Sequence, residues 1–229
     1  MRVAIIVPAL NEAEGIGATL RSLECFRATG CPIVVADGGS IDATATIALP
    51  LCDCLVQSTR GRAQQMNAGT AAVDVGIDAY LFLHADSRLP DHAIEAVSAA
   101  LSSSGRSWGR FDVTIQGQSR WLPVVAALMN LRSRLTGIAT GDQAMFMTRD
   151  AFERVGGFRD WPLMEDIGMS RALKRISRPI ALRERVVTSG RRWDARGPLR
   201  TIALMWWLRL CFAVGATPEW VSERYSAVR

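Results

Sequence analysis

Three acidic positions, far apart along the chain, are of a type and setting that could do chemistry. Asp86 follows the apolar run Leu81-Phe82-Leu83 and stands between His84 and Ser87. A short, wholly apolar run that stops at polar residues reads as a strand buried on both faces, whose carboxyl end opens where ligands bind in parallel sheets. A carboxylate at that mouth can hold a divalent cation against a phosphate. It can also simply cap the helix expected from Asp91. The second position is Asp37, which ends the apolar run Ile33 to Ala36 and is followed by Gly38-Gly39-Ser40. The glycines let the backbone approach a ligand, and Asp37 is free to accept hydrogen bonds from a base or sugar. An ordinary strand-turn-helix connection is the other account of that stretch. The third is the pair Glu165-Asp166, in the first turn of a helix whose apolar face carries Met164, Ile167 and Leu173. Adjacent carboxylates there suit the helix dipole, and one of them can equally serve as a general base oriented by the other.

The cations complement these acids. Arg62 follows Gly61 at a helix start, where its charge opposes the helix dipole. It is therefore expected to face a ligand, accompanied by Gln65 and Asn67. Val186 to Ser189 reads as a strand running into Gly190-Arg191-Arg192-Trp193. Two guanidinium forks beside Ser and Thr hydroxyls suit a diphosphate. Neither a Walker A nor a dinucleotide glycine pattern is present.

These residues need a scaffold that brings strand ends together. Val3 to Val7, Ile33 to Ala36, Cys54 to Val56 and the run at Leu81 are four apolar segments alternating with helical ones. That alternation predicts a three-layer, mostly parallel α/β sheet with helices on both faces. Right-handed crossovers then set Pro8, Asp37 and Asp86 along one edge. Residues 1–104 form the expected nucleotide-binding half. In residues 105–197, the expected acceptor half, Trp108 to Ile115 alternates like a half-exposed strand and Trp121 to Leu135 is helical. Gly141-Asp142-Gln143 then turns into a further strand. Residues 198–229 form a helical tail, and all three parts belong to one domain, with the pocket between the halves.

Composition bounds the partners. The 229 residues carry a net charge of +5, almost wholly from arginine because Lys174 is the one lysine. Five cysteines without paired zinc spacing read as reduced thiols of a cytoplasmic protein. The amino terminus is too short and too weakly charged for a signal peptide. No basic stripe with interleaved aromatics appears, so nucleic acid is excluded as a partner. The tail segment Ile202 to Val214 is too interrupted by Arg209 to span a bilayer. Buried packing is the preferred account of it, against peripheral contact with the inner face of the membrane through Trp206, Trp207, Leu208 and Phe212.

Taken together, Pro8-Ala9-Leu10-Asn11-Glu12, Asp37-Gly38-Gly39-Ser40, Asp86 after its strand, and Glu165-Asp166 resemble the inverting family 2 glycosyltransferases of the GT-A fold. The shorter signatures Gly61-Arg62-Ala63, Gly141-Asp142-Gln143, Pro162-Leu163-Met164-Glu165-Asp166 and Thr188-Ser189-Gly190-Arg191-Arg192-Trp193 are similar to the small bacterial group labelled arsenosugar-biosynthesis glycosyltransferases. The resemblance implies that a nucleotide-diphosphate sugar is the donor and a small-molecule or lipid-linked hydroxyl the acceptor. It places Pro8, Asn11, Glu12, Asp37, Gly38, Arg62 and His84 about the nucleotide, Asp86 on Mg²⁺ or Mn²⁺, and Asp166 as base beside Glu165. Asp142, Gln143 and Trp193 fall on the acceptor side. In the family's Asp-any-Asp element the first position is here His84, which removes one negative charge from the metal site. Two rival readings stand beside this one. A sugar-phosphate nucleotidyltransferase would use a similar sheet but open with a glycine-rich phosphate loop, which this chain lacks. A non-catalytic nucleotide-sugar-binding or membrane-associated protein is the other.

Overall fold

The computed structural model describes residues 1–227, except the side chains at positions 192, 195, 196, 198–200, 226 and 227. The chain opens with β1 (Val3–Ala9), every residue of which is buried, as its unbroken apolar run predicts. Helices α1 (Ile16–Ser22) and α2 (Glu24–Ala28) lead to β2 (Ile33–Asp37), then α3 (Thr44–Ala48), β3 (Cys54–Gln57) and α4 (Arg62–Ala71). β4 (Ala79–Phe82) is followed by the two-residue β5 (Ser87–Arg88) and by α5 (Ala93–Ser104). The second half holds β6 (Trp108–Gln116), α6 (Leu122–Thr136), β7 (Met145–Thr148), α7 (Arg149–Arg154), α8 (Glu165–Leu173) and β8 (Ile180–Ser189). Three helices end the chain: α9 (Arg191–Arg196), α10 (Pro198–Ala213) and α11 (Pro218–Ala227).

One eight-stranded sheet, in the order β3-β2-β1-β4-β7-β6-β8-β5, runs through both halves. β1 pairs in parallel with β2 and β4, and β2 with β3, so the carboxyl ends of the first four strands share one edge. β7 inserts antiparallel between β4 and β6, and β8 returns parallel to β6. The doubly wound half thus abuts a mixed half, and the switch between them lies beside β4. One core, built on Ile5, Val7, Leu81 and Phe146, fills one face of the sheet. The other face is filled from Ile6, Phe82, Phe152 and Phe158, with Phe82 edge-on to Phe158 at 4.9 Å between ring centroids.

One expectation and two alternative readings are corrected here. α5 starts at Ala93 with His92 in the capping position, so Asp86 caps no helix. β6 is not half-exposed: Arg110, 1 % exposed, is buried with Asp112 beneath α6. Its guanidinium donates to the Asp112 carboxylate and to Ser133 Oγ at 3.0 Å, and Asp112 also receives Arg134 at 2.6 Å. A polar alternation that looks solvated is an internally paired one, because each buried charge has found its partner. Finally, Leu208 and Phe212 are buried in a third cluster with Met164, Ile167 and Val221, which removes them from any membrane face.

Candidate functional site

The strand ends and the tail enclose a cleft of about 670 Å³. Pro8 borders it from the end of β1 and Glu12 from the loop that follows, His84 and Asp86 from the loop after β4, and Glu165 and Asp166 from α8. The three non-glycine residues with left-handed backbone, Asn11 (φ 53°), Ala144 (φ 45°) and Met164 (φ 69°), all lie in loops that shape this rim. Such conformations cost free energy and persist where the surroundings fix them, a pattern concentrated at functional sites.

The loops after β1 and β2 are locked to each other. Asn11 N–H donates to Ser40 Oγ at 2.9 Å, and Ile41 N–H donates to Asn11 Oδ1 at 2.9 Å. Glu12 N–H donates to Thr44 Oγ1 at 2.8 Å. Asp37 is almost wholly buried and accepts from Gly39 N–H, Ser40 N–H and Ser40 Oγ at 3.1, 3.0 and 2.5 Å. Its carboxylate therefore organises its own turn, whereas the sequence reading left it free for a base. Gly38 packs against Gln65, and a Cβ there would press on that amide. Gln65 in turn donates to the carbonyls of Ala9 and Ala36, joining the ends of β1 and β2 at the cleft floor. Asn67, expected beside the ligand, instead exchanges two hydrogen bonds with the Phe158 backbone, at 2.8 and 2.9 Å. It ties α4 to the loop that leads to α8.

Asp86 stands at the mouth of the cleft, as its place after β4 predicts. Its loop is held by Thr19 Oγ1, which donates to Ala85 O at 2.7 Å, and by Ser87 Oγ, which donates to Thr188 Oγ1 at 3.0 Å. Arg191 reaches across from α9: one Nη donates to Glu12 at 2.9 Å and lies 3.8 Å from Asp86. The hydrogen bond to Glu12 and the nearby carboxylates hold this guanidinium above its ordinary value. Arg192, the other half of the expected clamp, has its side chain outside the described residues. Trp193 borders the cleft as expected. His84 sends Nδ1 to within 3.3 Å of Asp142 and presses its other edge on Gly141, where any Cβ would collide with Nε2. Both ring nitrogens thus face the turn at Gly141–Gln143. Gln143 itself is fully buried: it closes that turn through Thr140 and donates to Asn130 on α6 at 3.3 Å, so it supports the turn without lining the cleft.

Asp166 is oriented by backbone. Gly141 N–H donates to its Oδ2 at 3.1 Å and Ile167 N–H to its Oδ1 at 2.7 Å. Burial raises its pKa against those two bonds and against the charge of Arg62. Burial, and then the charge of Asp166, push Glu165 up to about 7, while Arg62 pulls the other way. Burial works against the charge on Arg62, yet Glu165, Asp142 and Asp166 together carry it above its ordinary value. A buried carboxyl pair whose pKa values are both raised, with Arg62 beside it, can accept a proton from a hydroxyl.

The tail was expected to pack or to meet a membrane; it also walls the cleft. Leu204, Met205 and Arg209 of α10 and Tyr225 of α11 line it. The signal available in the sequence was Arg209, a lone charge within an apolar helix. A divalent cation fits the mouth on the chemistry of its donors. Among the described residues no three His, Cys, Asp or Glu side chains form a metal-holding group. Mg²⁺ and Mn²⁺ sites on phosphates, however, need only one or two carboxylates, with phosphate and water completing the shell. Asp86 provides one.

The comparisons with known proteins agree with this fold. TarS 1-349 from S. aureus superposes with a TM-score of 0.65 at 18% identity, over 83% of this chain and 61% of that one. This chain thus spans about three-fifths of that structure. The mannosyltransferase PcManGT from Pyrobaculum calidifontis, solved with GDP-Man and Mn²⁺, matches at TM-score 0.65 and 20% identity, over 99% and 73% of the two chains. Glucosyl-3-phosphoglycerate synthase from Mycobacterium tuberculosis, solved with Mn²⁺, UDP and glucosyl-3-phosphoglycerate, matches at 0.58 and 18%, over 82% and 70%. No curated protein matches in sequence. At such identities the likeness shows a shared fold, the GT-A arrangement, and nothing finer. Residues 4–160 match the family described as Glycosyl transferase family 2, from β1 to the loop before α8. That stretch takes in most of the chain and every strand of the sheet but β8, so the chain belongs to glycosyl transferase family 2.

Proposed function

We propose that the protein transfers a sugar from a nucleotide-diphosphate donor to an acceptor hydroxyl with inversion at the anomeric carbon. The observation that carries this reading is the convergence of Asp86 and the Glu165-Asp166 pair on one cleft at the strand ends of a family 2 chain. The nucleotide lies over Pro8, Glu12 and Arg62, and the diphosphate at the mouth, toward Asp86 and Arg191. Mg²⁺ or Mn²⁺ held by Asp86 would neutralise the charge that develops on the diphosphate. Arg191 adds a second positive charge there. The acceptor oxygen bonds to the anomeric carbon from the side opposite the diphosphate; the bond from carbon to phosphate oxygen breaks, and its electrons leave with the diphosphate. Asp166 takes the hydroxyl proton, and the Gly141 and Ile167 amides hold the receiving carboxylate in place.

Residues 1–104 act as the donor half and 105–197 as the acceptor half of one unit. The likeness of the Gly61, Gly141, Pro162 and Thr188 signatures supports membership of the bacterial group named above. Free cysteines fit a reducing, cytoplasmic compartment. No described helix is long and apolar enough to cross a membrane, and the exposed Trp206 and Trp207 support peripheral contact through α10. A panel of UDP- and GDP-sugars, with Mn²⁺ and with chelator, tests the reading by release of the nucleoside diphosphate and by the anomeric configuration of the product. Binding and turnover by none of them, under either condition, overturns it.

A further inference from the structure

Two arginines near the acceptor side are left with unfilled donors. Arg209 of α10 lines the cleft with its Nε shut away from water and donating to nothing. On α6, Arg132 has both Nε and Nη2 buried without a partner, and these two atoms form the side-on edge that grips an oxyanion bidentately. Ile138, two residues past the end of α6, packs in the same apolar cluster as Leu204 and Leu208 of α10, and Arg132 feels the charges of Asp166 and Asp142, which line the cleft. Three other arginines are answered. Arg191 is bonded to Glu12, Arg62 lies among three carboxylates, and Arg110 is paired with Asp112. Leaving buried guanidinium donors unpaired is costly, so the open edge of Arg132 and the Nε of Arg209 at the cleft wall suit a ligand that fills them.

The rest of this wall narrows the ligand. α10 contains no Asp or Glu, whereas Asp142, Glu165 and Asp166 all stand on other elements of the cleft. Leu204 and Met205 beside Arg209, with Leu163 and Met164 facing the same space, are apolar. Burial lowers Arg132, while Asp166 and Asp142 draw it back, which places its charge within reach of the carboxylates that flank the reacting hydroxyl. We propose that the acceptor carries a phosphate group, seated on Arg209 with Arg132 as the second cation, and that the apolar wall holds the part of the acceptor next to that phosphate. The proposal rests on the glycosyl-transfer reading and deepens it by naming the acceptor's class. Such a phosphate has two sources, a small phosphorylated metabolite or the headgroup of a lipid.

The test uses the full chain with its donor site first filled by Mn²⁺ and whichever of UDP or GDP binds. Calorimetry then measures glycerol 3-phosphate, n-octyl phosphate and the neutral n-octyl glucoside. Arg209→Gln is expected to weaken phosphate binding about tenfold or more, with Arg209→Lys intermediate, since charge is kept and the fork lost; nucleotide affinity stays unchanged in both. Arg132→Gln is expected to weaken the phosphates in the same direction. Binding of glycerol 3-phosphate as tight as that of octyl phosphate supports a metabolite, and binding of octyl phosphate alone supports a lipid. Octyl phosphate binding no better than octyl glucoside, or phosphate affinity unmoved in both Gln variants while nucleotide still binds, overturns this inference and leaves sugar transfer standing. Absence of nucleotide binding in the unmodified chain removes the transfer reading and this inference with it.

Discussion

The smallest scale at which the site can be argued is the single carboxyl group. Asp166 has its two oxygens on two backbone amides, and its neighbour Glu165 is pushed up to about 7. Replacing Asp166 with Asn keeps the shape but removes the proton acceptor, and its NH2 group can no longer accept from one of the two backbone amides. Turnover is expected to fall about 10²- to 10⁴-fold while donor affinity holds, read by steady-state kinetics beside nucleotide titration. The same groups set the pH dependence. A base must be ionised to act, and burial favours the neutral acid, so kcat/KM is expected to fall on acidification at a pH well above the ordinary carboxylate range. Glu165→Gln removes the like charge that opposes ionisation of Asp166, and the acid limb moves to lower pH. Arg62→Gln removes the cation that favours ionisation, and the limb moves to higher pH. A limb unmoved by both would detach the pH dependence from this pair. The pair was legible in the sequence as adjacent acids at a helix start. What could not be read there is that Gly141, twenty-five positions away, supplies the amide that orients one of them.

At the scale of elements, the turn Gly141–Gln143 does the positioning. It is closed by reciprocal bonds between Thr140 and Gln143, anchored to α6 through Asn130, and pressed from the cleft side by His84. Gln143→Ala leaves the Thr140 amide without its acceptor in a buried place, at a cost of about 1–3 kcal/mol. The expected outcome is a lower denaturant midpoint, with the acceptor KM following only through the turn. Unchanged stability with a raised acceptor KM would return Gln143 to a direct contact. β1, β2 and β4 were legible because parallel strands covered on both faces must be apolar, whereas β3, at the sheet's edge and only partly covered, carries a weaker signal. β6 was misread because alternation reports polarity and not exposure: Arg110 and Asp112 satisfy each other indoors. Asn67 was misread, and the bonds of Asp37 to its own turn were not foreseen, for a related reason. Side chains that can bind a ligand can equally bind their own backbone, and nothing local distinguishes the two.

For the molecule as a whole, two helices leave apolar faces toward solvent. α10 turns Leu208 and Phe212 inward and Trp206, Trp207 and Leu210 outward, with Val214 just beyond its end. α6 exposes Val124, Leu128, Leu131 and Leu135, with Trp121 at its start. The spacing of three and four residues makes each a continuous stripe, and neither helix contains an acidic residue. Exposed stripes of this kind are rare on a free monomer and mark a docking face. The chain carries a net charge of +5. Aromatic and aliphatic side chains without acids, on a basic protein, suit the interface of an anionic bilayer. The full chain is therefore expected to co-sediment with vesicles containing phosphatidylglycerol, less with purely zwitterionic ones, and less again as salt is raised. Trp206→Glu with Leu210→Glu places charge on the outer face of α10 without touching Leu208 or Phe212, so the fold is kept and vesicle binding is expected to drop. Leu128→Glu with Leu131→Glu asks the same of α6, and a pair that leaves binding intact takes its helix out of the contact. If the unmodified chain ignores both kinds of vesicle at low salt, the outer faces of α6 and α10 have a partner other than lipid.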